Sequence, residues 1–118
     1  MIEAEFHAVW RDSRGRRRDV TPPSVPVGRV VFLPDPQLSF DGRQIDNFRV
    51  SLVDDPLVDD FIAAAEAYFE VTNRGKLATE YGRLRVTPEI AAARERWWAA
   101  ERRMVAKHYD VTLPENMP

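Results

Sequence analysis

Residues 55–72 read DPLVDDFIAAAEAYFEVT, and this stretch decides the architecture. Asp55 can accept from the first free backbone N–H groups of a helix. Pro56 suits the first helical position, where its missing N–H would have no partner, and Asp59 and Asp60 sit at the positive end of the helix dipole. Leu57, Val58, Phe61, Ile62, Ala65, Tyr68 and Phe69 recur at helical spacing and make a wide apolar stripe. Asn73 and Gly75 supply the stop signal. The spacing predicts a helix over 56–72 that buries one face.

Downstream, Thr87-Pro88-Glu89 repeats the same start signal. A second long helix is expected over 88–109, with Ile90, Trp97, Met104, Val105 and His108 on its buried side. Upstream the period changes from 3.6 to 2. Ile2, Ala4, Phe6, Ala8 and Trp10 alternate with Glu3, Glu5, His7, Val9 and Arg11, the pattern of a strand with one buried face. Asp12-Ser13-Arg14-Gly15 is turn chemistry, with Gly15 at the left-handed position of a bulged hairpin. Residues 16–21 return as a second strand that Pro22-Pro23 ends. Residues 28–33 and 81–86 read as further short strands, and 42–53 as a short helix or irregular cover. Strands precede helices, so the expected fold class is α+β: an antiparallel sheet of three to four strands with two main helices packed on one face. A chain of 118 residues fits one domain, taken as 1–110, followed by a C-terminal tail over 111–118.

The chain has no cysteine. That excludes disulfides, a thiolate nucleophile and zinc–cysteine sites, and it suits a reducing compartment. No apolar run approaches the ~20 residues that span a bilayer. The acidic start, Met1-Ile2-Glu3-Ala4-Glu5, lacks the basic-then-apolar layout of a signal peptide, so a cytoplasmic location without membrane contact is expected. A net charge of −2 names no partner, but its distribution is uneven. Five arginines crowd Arg11 to Arg18 against Asp12 alone, and six acids occupy Asp54 to Glu70 with no lysine or arginine among them.

His7 is the most chemically suggestive residue. If Asp12 pairs with Arg16 across the turn, Val9 faces Asp19, and Asp19 becomes the diagonal neighbour of His7. Glu5 shares the same strand face. A carboxylate that holds one ring nitrogen orients an imidazole for ligand binding or proton transfer. The run Glu3-Ala4-Glu5-Phe6-His7-Ala8-Val9-Trp10, followed by Asp19-Val20-Thr21-Pro22, resembles the His strand and Asp strand of papain-like and transglutaminase-like cysteine enzymes. It is also similar to the latter half of small bacterial domains of unknown function. The resemblance covers roughly residues 3–53. In those families the nucleophilic cysteine opens an upstream helix. This chain has neither the cysteine nor that segment, so the resemblance implies a degenerate relative whose His7–Asp19 pair, with Glu5, holds a ligand and forms no acyl-enzyme. A metal site has little support, because His108 is the only other imidazole.

Three further features bear on partners. Arg14, Arg16, Arg17 and Arg18 form a basic patch at the hairpin tip that could bridge phosphates, though no aromatic residues interleave for base stacking. Asp54, Asp55, Asp59 and Asp60 form an acidic patch suited to a basic partner, or simply to capping. Adjacent Trp97 and Trp98 point about 100° apart on a helix, so both cannot face one core, and Trp98 is the expected interface residue. The sequence therefore favours a non-enzymatic binding or regulatory protein that acts through protein–protein contact, with a homodimer through Trp98 as one form. The alternatives are a degenerate or truncated cysteine-peptidase/transglutaminase-like domain with a His7–Asp19 ligand site, and a nucleic-acid accessory protein using the arginine-rich hairpin. No cofactor is implied.

Overall fold

The computed structural model describes residues 1–19 and 31–109. The chain is α+β, in the order β1 (Ile2–Ala4), β2 (Trp10–Arg11), β3 (Arg17–Arg18), β4 (Phe48–Val50), α1 (Pro56–Thr72), a short 3-10 helix (Gly75–Thr79) and α2 (Pro88–His108). It divides into two compact units, one built from Met1–Glu5 and Gly42–Pro118, the other from Phe6–Asp41. Residues 20–21 of the expected second strand, 28–30 of the expected third and the tail 111–118 lie outside the described residues. Among the described residues no helix is long and apolar enough to cross a membrane.

In the first unit both helices begin where their caps dictate. Asp55 accepts from Leu57 N at 3.0 Å, and Thr87 Oγ1 accepts from Ile90 N at 3.2 Å, with proline in the first turn of each helix. The helices run antiparallel. Asp55, at the start of α1, meets Lys107 and His108 at the end of α2, while Arg74, just past α1, meets Glu89 at the start of α2. Between them lies a small core of Val58, Phe61, Ala64, Ala100 and Met104, flanked by half-buried Leu57, Ile62, Trp97 and Val105. Two alanines in that cluster let the backbones approach closely. Ala100 therefore takes the contact position, whereas Trp97 and Val105 are only half-buried. His108, expected on the buried side, is instead exposed, with its side chain turned to Asp55. The largest residues marked the stripe, but close packing selected small ones.

β1 and β4 pair antiparallel, with Ile2 opposite Val50, Glu3 opposite Arg49 and Ala4 opposite Phe48. Alternation places Ile2, Ala4, Phe48 and Val50 on one face of this ribbon and Glu3 and Arg49 on the other. The polar face is the covered one. The Arg49 side chain is only 7% exposed, with Nε 2.9 Å from Glu3 Oε1 and Nη1 3.1 Å from Asp46 Oδ1. The apolar face is open, and Ile2 is 55% and Phe48 69% exposed. This reverses the expectation that the apolar side of 2–11 is buried. A guanidinium matched by two carboxylates can be turned inward, and an apolar period says only that a face is apolar. The segment 42–53 is thus not a helix. It holds β4, and its helically spaced Ile45, Phe48 and Leu52 are all exposed. Residues 81–86 are not a strand: Gly82 interrupts the extension at φ +120°. Tyr81 Oη donates to Gly42 O at 2.9 Å, and Gln44 N donates to Ala78 O at 3.0 Å.

Glu101 on α2 is partly buried. Desolvation first, and the nearby Glu3 carboxylate second, hold its carboxyl above the usual glutamate range. A raised folded-state value means that ionisation at neutral pH opposes folding. Glu101→Gln is expected to raise the thermal midpoint at pH 7. That gain should shrink as pH falls through the raised value towards 4.5, which thermal melts at several pH values would show.

In the second unit, β2 and β3 form a hairpin with Trp10 opposite Arg18 and Arg11 opposite Arg17, the register that an Asp12–Arg16 turn requires. Asp12 N donates to Arg16 O and Gly15 N to Asp12 O, and Gly15 sits at φ +76°, where a side chain would be strained. Residues 5–9 are not strand, and Trp10 is 57% exposed rather than buried. Residues 31–33 are exposed and not strand. Among the described residues the expected sheet of three to four strands is two separate two-stranded ribbons.

Candidate functional site

The hairpin register brings His7 and Asp19 together, with His7 Nε2 3.0 Å from Asp19 Oδ1 and the side chains 25% and 38% exposed. The approach is off the ring N–H axis. Nε2 therefore has a close electrostatic neighbour but no aligned hydrogen bond. Glu5, the third expected member, is exposed and belongs to the other unit. The pair can orient a polar ligand. With no cysteine in the chain, no thiolate can attack it. Among the described residues no three His, Cys, Asp or Glu side chains converge as metal ligands.

The arginine patch is organised by Asp12. Its carboxylate accepts from Arg14 N and Arg16 N at 2.9 Å and from Arg16 Nε at 2.8 Å, with Arg18 Nε at 3.6 Å. Those bonds, led by the Arg16 backbone N–H, hold the Asp12 carboxyl below the usual aspartate range. Arg17 lies over the Phe32 ring at 5.9 Å. Arg16 and Arg18 are thus drawn onto a carboxylate within the hairpin, and both side chains stay more than half exposed.

The acidic patch also divides. Asp54, Asp59 and Asp60 are exposed, whereas Asp55 is buried. Its Oδ2 lies 2.8 Å from Lys107 Nζ and 2.7 Å from His108 Nε2, and its Oδ1 caps α1. The Lys107 ammonium first, then the Leu57 N–H, with His108 contributing, lower its carboxyl to about 2. Sequence reasoning placed Asp55 and His108 separately and missed their contact across 53 positions. Local pattern carries no signal for such a pairing.

Trp98 is half-buried beneath the Arg94 guanidinium, 5.0 Å from its ring centre. Trp97 stacks on Tyr68 with ring centres 5.1 Å apart and planes at 23°. Tyr68 and Trp97, with Asp46, Arg49, Thr72 and Asn73, border an open groove of about 290 Å³ between the covered face of the β1–β4 ribbon and the helices. The sequence reading treated Trp97 as core and did not find this groove. No family model matches the chain, and no curated protein or solved structure is significantly similar to it.

Proposed function

We propose that the chain is a non-enzymatic binding protein that works through protein–protein contact, and that its first partner is a second copy of itself. The open apolar face of the β1–β4 ribbon, where Ile2, Phe48 and Val50 are all exposed on one side, carries this reading. A contiguous apolar patch on a small domain marks an interaction surface. The face has no charged side chain, so a two-fold contact of the patch with its own copy brings no like charges together. Four strands, two from each copy, then enclose one apolar layer. Light scattering after size exclusion tests the reading. Wild type is expected at twice the monomer mass and Phe48→Asp at the monomer mass with unchanged helical circular dichroism, because a buried unpaired charge is strongly disfavoured. A wild-type monomer at all concentrations, or a Phe48→Asp dimer, would refute it.

The 3.0 Å approach of His7 to Asp19 favours one second reading: a degenerate relative of the cysteine enzymes, holding a polar ligand at that pair.

A further inference from the structure

Arg11, Arg14, Arg16, Arg17 and Arg18 all stand exposed on the hairpin of the second unit. Even with Asp12 and Asp19 counted, residues 11–19 hold five arginines against two carboxylates. Asp12 draws in Arg16 and Arg18 on the face that also carries Trp10, and Asp19 lies against His7. Arg11 and Arg17 are placed differently. They are direct cross-strand partners on the opposite face, and among the described residues neither is matched by a carboxylate. Residues opposite one another in such a pair stand about 4.5–5.5 Å apart at Cβ, and like charges there are destabilising. The free hairpin therefore carries a repulsion that an anion held between the two guanidiniums would remove.

Every cation in this stretch is arginine and none is lysine. A guanidinium grips a phosphate through two parallel hydrogen bonds and stacks on rings, whereas an anionic lipid surface attracts lysine and arginine alike. The fold also brings rings to the arginines that the sequence does not interleave. Trp10, opposite Arg18, is 57% exposed, and the Phe32 ring, 37% exposed, lies 5.9 Å beneath Arg17. An open indole beside a cation is a stacking platform for an unpaired base.

We propose that this hairpin binds single-stranded nucleic acid. A backbone phosphate sits between Arg11 and Arg17 on one face. The strand crosses the β2 edge, where the adjacent Arg11 and Trp10 point to opposite faces, and a base stacks on Trp10.

The test measures binding of the full chain to fluorescein-labelled oligothymidylate by fluorescence anisotropy at about 50 and 200 mM salt. Saturable binding that weakens with salt is expected, tighter than binding to a duplex of equal length. Charge attraction alone would favour the duplex, which is the denser polyanion. Arg11→Gln and Arg17→Gln each relieve the cross-strand repulsion, so a loss of affinity in them does not report unfolding. Each should weaken binding roughly 3–10-fold and flatten the logarithmic salt slope by about 0.7. Arg103→Gln, which removes an exposed arginine on α2, should change neither. Trp10→Ala should weaken binding by about 5-fold or more. Val31 and Leu33 of the same unit are both 83% exposed, so vesicles of phosphatidylserine and phosphatidylcholine make the second arm. Cosedimentation with vesicles and no binding of the oligonucleotide would assign the surface to a membrane and overturn the proposal. Duplex binding as tight as single-strand binding, or Arg11→Gln and Arg17→Gln no weaker than Arg103→Gln, would overturn it as well.

Discussion

Phe61→Ala is expected to lower stability by about 3–5 kcal/mol, the usual cost of removing a buried phenylalanine ring and leaving its cavity. Phe61 is 5% exposed and is the one aromatic ring in a core cluster otherwise made of Val58, Met104 and two alanines. Small domains are stable by only about 5–15 kcal/mol, and so small a core favours the low end of that range. The variant should show a markedly lower denaturant midpoint by circular dichroism, with a substantial unfolded population before denaturant is added. Phe40→Ala provides the comparison. Phe40 is 60% exposed, and its loss should change stability by no more than about 0.5 kcal/mol. Equal losses in the two variants would mean that the helix–helix cluster is not the principal core.

Asp55→Ala is expected to produce the second large loss, because one side chain serves both ends of the helical hairpin. It caps α1 through Leu57 N and receives Lys107 and His108 from α2. Removing it leaves an uncapped N-terminus and two cationic or hydrogen-bonding groups without their shared acceptor. The thermal midpoint should fall by about 5 °C or more, and by more than in Lys107→Ala or His108→Ala. The pH dependence supplies an independent signature. The carboxyl stands at about 2 in the folded chain against an ordinary value of 3.8, so the ionised form is the one that folding favours. Its contribution is complete above about pH 4 and disappears as pH falls towards 2. Asp55→Asn should flatten that part of the acid unfolding curve. An unchanged acid limb would show that the carboxylate does not couple the helices.

The helices were legible in the sequence because their boundaries are written in local chemistry: Asp55-Pro56 and Thr87-Pro88 at the starts, and Asn73 at the end of α1. The hairpin was legible for the same reason, since Asp12 and Gly15 fix the register and, through it, the approach of His7 to Asp19. What failed was inference from periodicity to burial. Ile2 and Trp10 fall on the apolar side of an alternating run, yet both are exposed, because a two-residue period identifies a face without saying what lies against it. Arg49 reads as a solvent residue and is among the most covered side chains, owing to two carboxylates, one of them 46 positions away. The groove was illegible because its walls come from residues 44–49 and from both helices, stretches that only the folded chain brings together.

The staple at Asp55 also bears on the order in which the molecule comes apart. It joins the open end of the helical hairpin, whereas the opposite end is held by the continuous chain and by the Arg74–Glu89 contact beside it. Opening is therefore expected to start at the Asp55 end, which faster amide hydrogen exchange there than beside the loop would show. Contacts that form last in folding act mainly on the escape rate, so Asp55→Ala is expected to speed unfolding more than it slows folding, as stopped-flow kinetics would show.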